Sequence, residues 1–359
     1  YPAGTDTAVF DSSDTDGCTL TAPVLAAAID IQSGYTGRID MGGYDITLSD
    51  TLDVTDGELE LDTGSDLSVS GALTVDGGVL DALNGSIDAD SAVTCSAGTL
   101  TAPSGDFNIA GDTDFTGGVF EDSGGTVIFD SDDKQVLTAG GSDTDHDFNN
   151  LIHSGSGELE LADNNLVAAG TVTQSGWGNF DTRGLDITAN GLSVTAGTIN
   201  GEDTGGTWDI GTGGITVSDG ATLSCTSDTM YTAGDWTVSS SGWWNHRFGT
   251  VVFDGSGKQT FISGGHDFNN LIHSGSGELE LTDDNLEVTG TLTQSGTGNF
   301  DTQGLDITAA GLVVSGGTFN ADALAGAWDI GTAGLDIQAS STLTATSGTM
   351  YLAGDFTVD

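Results

Sequence analysis

The chain has 359 residues, with 54 acidic side chains against five basic ones (Arg38, Lys134, Arg183, Arg247 and Lys258) and a formal net charge of −49. That balance all but excludes nucleic acid and an anionic membrane surface as direct partners, because both are held through Lys and Arg. No run of about 20 apolar residues exists, so membrane insertion is not expected. Self-repulsion at this charge calls for screening, which points to a saline or calcium-containing medium.

The first segments read as short strands. TAPVLAAAIDIQ, from Thr21, is the one stretch with a helical look, yet Pro23 and the following IDIQSGYTG favour strand. IDMGGYDIT from Ile39 recurs as FDTRGLDIT from Phe180 and FDTQGLDIT from Phe300. GELEL occurs at Gly57, Gly157 and Gly277, and VTCSAGTL from Val93 matches LSCTSDTM from Leu223. The interval from Gly57 to Val93 is shorter than that from Gly157 to Leu223 by about 30 residues. If only whole turns can be lost, a coil of about that length, or half of it, is expected.

Residues 146–239 then recur at 266–359 with a constant offset of 120, and 61 of the 94 paired positions are identical. HDFNNLIHSGSGELEL, from His146, returns unchanged from His266. Within the repeat, Trp208, Ile215, Leu223, Met230 and Trp236 fall about seven residues apart, between Thr, Ser, Asp and Gly. Period-two alternation broken by Gly and Asp reads as short strands and sharp corners. The expected fold is all-β, a parallel β-helix (β-solenoid) of stacked short-strand coils, continuous over 1–359. Its sequence units are 1–125 (shorter, degenerate), 126–249 and 250–359. A sandwich would not repeat in this way, and a propeller needs longer blades. The pairs Asn149–Asn150 and Asn269–Asn270 read either as an asparagine ladder at a corner or as solvated turn residues. Cys95 and Cys225 occupy equivalent positions and read as small inward core residues; three cysteines are too few for a disulfide framework.

Candidate sites are sparse. DSSDTDG offers Asp11, Asp14 and Asp16, and GSDTDHD offers Asp143, Asp145 and Asp147, as oxygen ligands for calcium, which takes six to eight. Neither segment is an EF-hand loop, and a solvated acidic turn is the competing reading. His146 with His153, and His266 with His273, lack the further ligands that zinc needs. No nucleophile, metalloprotease or phosphate-loop motif is present, and 45 aspartates make any carboxylate pair arbitrary. SGWWNHRFG places Trp243 and Trp244 next to each other, so on a strand they point to opposite faces, one to the core and one outward. The outward ring would contact a glycan or a neighbouring subunit; a packed bulge is the competing reading.

GTVVFDGSGKQTFISGGHDFNNLIHSGSGELEL, from Gly249, resembles repeats of large secreted surface proteins and of some phage structural proteins. CTLTAPVLAAAIDIQSGYTG, from Cys18, is similar to the first coils of such proteins. The resemblance implies a right-handed parallel β-helix and a part in adhesion, sheathing or filament building. It implies no catalytic residue. The expected function is therefore a non-enzymatic extracellular or cell-surface structural protein, part of a filament, sheath or surface fibre. An adhesin or phage fibre module that binds glycans, on a virion surface in the latter case, is the alternative, and a polysaccharide-degrading β-helix is the third reading. The pattern stops at TVD without a polar cap, so end-to-end self-association or a longer parent chain is expected.

Overall fold

The computed structural model describes residues 4–13, 15–140, 148–201, 205–321 and 325–359. Among them there is no helix, and so none long and apolar enough to cross a membrane. The chain forms two compact units, Tyr1–Asp181 and Thr182–Asp359. Each is a stack of parallel strands wound as a β-solenoid, with about 16 turns in all. The TAPVLAAAIDIQ segment is strand, as Val24–Ala26 and Ala28–Ile31.

In the first unit three faces wind around one core. One face stacks Ile29, Leu52, Leu73, Val93, Thr113 and Leu137 in register. A second stacks Ile39, Leu59, Leu80, Leu100 and Phe120. The third runs from Val24 through Ile46, Leu67, Ile87 and Phe107 to Val127 and Leu151. Every one of these residues is buried. The residues between them point outward and are mostly Thr, Ser and Asp, so the period-two pattern becomes a thin apolar core inside a polar wall. Single turns carry Ile29 to Leu52, Leu52 to Leu73, Leu73 to Val93 and Thr113 to Leu137, so a turn takes about 22 residues, within the range of solenoid repeats.

The second unit shows how the 120-residue repeat fits this winding. Ile187 is followed up its column by Trp208, Met230, Val251, Leu271, Leu292 and Leu312. Leu312 lies 120 residues beyond Leu192, not beyond Ile187. The face of Leu192 continues through Ile215, Trp236 and Phe261, then Leu279 and Phe300, to Phe319, which lies 120 beyond Ile199. The face of Ile199 continues through Leu223 to Trp244, whose ring meets Phe268 at 5.6 Å, and then through Val288 to Ala309, 120 beyond Ala189. Each face thus takes over the sequence of another after one repeat. Five turns carry Ile187 to Leu292, about 21 residues per turn, and two further faces reach Ile307. The repeat spans five and two-thirds turns, or 17 faces of about seven residues.

This corrects the expected coil of about 30 residues or half that. The premise that only whole turns can be lost fails, because the three faces are interchangeable and a third of a turn is an allowed step. The seven-residue spacing of apolar residues is the face period itself.

Stacking is reinforced by side chains that bond the backbone of adjacent turns. Asn149 donates through Nδ2 to Gly124 O (2.7 Å) and Gly125 O (3.1 Å) of the turn before, while Asn150 Oδ1 accepts Thr171 N–H (2.9 Å) of the turn after. Asn269 does the same with Phe248 O and Gly249 O, and Asn270 with Thr291 N–H. The paired asparagines are therefore neither a ladder of amides nor solvated turn residues. They are staples that join three turns. Aspartates act alike: Thr207 N–H donates to Asp186 Oδ1, Thr260 N–H to Asp235 Oδ1 and Ala327 N–H to Asp306 Oδ1. The short reach of Asp suits this use, in a chain with 45 Asp against nine Glu. Corners are tight enough to require Gly: a Cβ at Gly277 would sit 1.7 Å from Gly257 O, and one at Gly298 would sit 1.8 Å from Gly277 O.

Candidate contact surface

The segment SGWWNHRFG forms the strand Trp243–Asn245 and the corner that follows it. Trp243 pairs with Thr222 and points outward, 67% exposed; Trp244 pairs with Leu223 and points inward, 5% exposed. The alternation holds, and it corrects any contact role for Trp244. Its ring meets Trp236 edge-on at 4.7 Å and lies 5.6 Å from Phe268. The outward contact belongs to Trp243.

The corner after Trp244 is built, not slack. Arg247 and Phe248 both have positive φ, 42° and 63°, which is unfavourable for side chains of this size. Local bonds hold them there. Arg247 N–H donates to Asn245 Oδ1 (3.1 Å), Phe248 N–H to His246 Nδ1 (3.0 Å) and Gly249 N–H to His246 O (2.8 Å). The Arg247 guanidinium reaches Asn200 Oδ1 (2.9 Å), and His246 Nε2 lies 3.4 Å from Asp267 Oδ2. Phe248 is left 81% exposed, with the His246 ring edge-on to it at 5.7 Å. Two outward aromatic rings thus flank one rigid corner.

Phe248 carries no signal in the sequence, because Arg-Phe is not a turn signature and nothing local announces a positive φ. A second exposed ring, Trp177 at 80%, does carry one: the repeat places Thr297 at the same point of an otherwise unchanged SG-x-GNFDT. A position that accepts Trp or Thr is a solvated one.

The acidic candidates divide. Asp14, Asp143, Asp145 and Asp147 lie outside the described residues. Asp11 accepts the Ser13 hydroxyl and its N–H (2.8 Å), which hold its carboxyl below the ordinary range. Asp16 contributes its carbonyl oxygen to the Tyr35 hydroxyl at 3.2 Å. Both border a cleft of about 380 Å³ with Cys18 and Tyr35. Among the described residues no three His, Cys, Asp or Glu side chains come together as a metal site.

The remaining polar clusters are internal to the stack. His153 Nδ1 meets Gln174 Oε1 at 2.7 Å, and Gln174 donates to Gly176 O (2.8 Å) and Gly178 O (3.3 Å). His273 and Gln294 repeat this with Gly296 and Gly298. Each GELEL glutamate pair meets a cation of the turn before: Arg38 with Glu60, Lys134 with Glu158 and Glu160, and Lys258 with Glu278 (2.8 Å) and Glu280 (2.6 Å). The two carboxylates push each lysine pKa up. Three of the five basic residues thus neutralise acids of the same wall. Cys95 and Cys225 are buried core residues, and burial pushes the Cys225 thiol up to about 12.

No family model, no curated protein and no solved structure matches the chain.

Proposed function

We propose that the chain is a non-enzymatic structural segment of an extracellular filament, sheath or surface fibre. One observation carries this reading. The segment repeated without change, HDFNNLIHSGSGELEL, is used for stacking wherever it is described: Asn269 and Asn270 staple turns, Leu271 and Leu279 fill the core, His273 pairs with Gln294, Gly277 turns a corner, and Glu278 and Glu280 meet Lys258. Successive repeats in the second unit also place the same motif on different faces. A repeated surface site would then fail to line up, whereas a repeated stacking device works on any face. Selection for the stack itself accounts for both facts.

End-to-end continuation, by a further turn of the same chain or by another copy, is the route to a fibre, because a parallel stack can add a turn at its edge through ladder bonds. Electron microscopy at micromolar concentration tests the reading. Continuous fibres with an axial repeat near about 4.8 Å are expected, and separate short rods at all concentrations would refute it.

A second reading, a glycan-binding adhesin or phage fibre module, is favoured by Trp243 and Phe248 flanking a rigid corner. On that reading Trp243→Ala lowers retention on a glycan array at least tenfold with an unchanged melting temperature. Equal retention would remove it.

A further inference from the structure

The negative charge is not spread evenly over the wall. In the second unit one face carries on its outer side the row Tyr231, Val252, Ile272, Thr293 and Val313, one residue per turn over five turns, with Tyr231 exposed, Val252 covered by its neighbours and the other three half-buried. Beside that row run Thr250, Asn270, Thr291 and Gly311 on one side. On the other side Asp254, Ser274, Ser295 and Ser315 follow the strands. Asp254 is the only charged residue among these, and burial, with Asp209 nearby, raises its pKa. The row ends at Asp209 below and Asp336 above. The other two faces of the same turns carry Lys258, Glu278, Glu280 and Asp301, or Asp267, Glu287 and Asp329. The first unit has a similar arrangement, with Asn108, Ile128, Ile152 and Thr173 stacked in register, Asp106 and Asp130 at its two margins and Asp88 below it. Burial, with Asp88 nearby, raises the Asp130 pKa too.

A parallel sheet gives such a row a spacing of about 4.8 Å, so five turns make a flat strip about 19 Å long. Nothing in the interior demands β-branched or aromatic residues on the outer side. Their presence in both units, in a chain of net charge −49, marks a surface kept free of charge. Charge also selects the occupant. A cationic partner would be met by the acidic faces, and a copy of this chain would be repelled by them. An uncharged strip lets two such chains approach without bringing carboxylates together; a shorter uncharged row, Ser193, Thr216, Thr237 and Ile262, runs on another face of the second unit.

We propose that this uncharged face is a lateral contact between two copies of this chain. The proposal rests on the structural reading above and adds to it how neighbouring rods pair. A strip about 19 Å by about 13 Å covers roughly 250 Å² per partner, or about 500 Å² in total, below the roughly 1,200–2,000 Å² of a stable complex. One strip alone therefore gives a weak, reversible contact. A chain that carries one strip in each unit can make the contact twice, and avidity then strengthens the assembly.

Sedimentation velocity from about 10 to 300 µM in about 0.5 M NaCl tests this, the salt screening the other faces. The wild type is expected to sediment faster as concentration rises. The double variant Ile152→Asp, Ile272→Asp should lose that rise, and Thr173→Asp with Thr293→Asp, milder changes on the same strips, should reduce it. Thr308→Asp with Thr94→Asp, which adds equal charge on another face of each unit, should leave it unchanged; circular dichroism checks that all variants are folded. Concentration-independent sedimentation of the wild type would overturn the proposal, as would association that the strip variants leave intact. Retention on crystalline cellulose or chitin without self-association would also overturn it, in favour of a polysaccharide surface. Fibres that form by electron microscopy but remain one rod wide would sink the lateral contact and leave the fibre reading standing.

Discussion

Trp244→Ala is expected to destabilise the second unit by about 3–5 kcal/mol, while the neighbouring Trp243→Ala changes stability by less than about 0.5 kcal/mol. The two rings are adjacent in sequence and differ only in the face they occupy. Trp244 is 5% exposed and closes a cluster in which Trp236 also meets Phe253 at 6.0 Å, Phe261 at 6.5 Å and Phe268 at 5.5 Å. Truncation would remove both the buried area and ring contacts worth about 0.5–1.5 kcal/mol per pair, and leave a cavity between turns. A solenoid core is only one or two side chains thick, so neighbours have little freedom to collapse into the gap. Urea unfolding followed by tryptophan fluorescence measures both variants. Near-equal midpoints for the two would show that Trp244 is not part of the core.

That contrast marks how far the sequence can be read. Trp208, Ile215, Leu223, Met230 and Trp236 are spaced as inward residues, and all five are buried, because alternation is local and leaves its period in the chain. Cys95 and Cys225 follow the same logic and are buried too. The parity of the Trp243–Trp244 pair is not legible, since the turn at 239–242 separates it from the preceding strand and resets the phase. Turn length is hidden for a different reason. Three equivalent faces let a sequence motif recur after any number of thirds of a turn, so the shortened interval between Gly57 and Val93 says nothing about the size of one coil. The asparagine pairs are visible as a motif, but their partners, Gly124, Gly125 and Thr171 for the first pair, lie a turn away on either side. The uncharged strip is invisible for the same reason, because it takes only one residue from each turn, as in Ile272, Thr293 and Val313. Of the calcium candidates, Asp11 and Asp16 can be placed, and their partners are Ser13 and Tyr35.

Lowering the pH from about 6.5 to 5.5 should cost the protein up to about 1 kcal/mol for each of His153 and His273, at most about 2 kcal/mol together. Both rings are fully buried. In each pair the Gln amide donates to two corner carbonyls, so its Oε1 must accept, and the histidine proton is assigned to Nδ1. Nε2 then bears a lone pair with no partner, and near His273 the Phe300 ring stands edge-on at 6.2 Å. Burial holds both pKa values below the ordinary histidine value, only partly opposed by the Gln bond. The sign follows from proton counts. Below the unfolded value of about 6.5 the unfolded chain takes up protons that the folded chain refuses. Stability is therefore full above that pH and falls as pH drops, until the folded histidines themselves titrate. Glu60, Asp62, Asp88, Asp130 and Asp254 work the other way, since their folded pKa values are raised. Their gain belongs to the carboxylate range, below the histidine window. The double variant His153→Gln, His273→Gln isolates the effect, because Gln already follows each histidine one turn later in the same column. Chemical unfolding of both proteins at pH 7.5, 6.5 and 5.5 should show the wild type losing stability relative to the variant mainly over the lower interval, about threefold more than over the upper one. Parallel curves, or ring resonances that titrate near pH 6.5 in the folded protein, would show that these histidines are solvated.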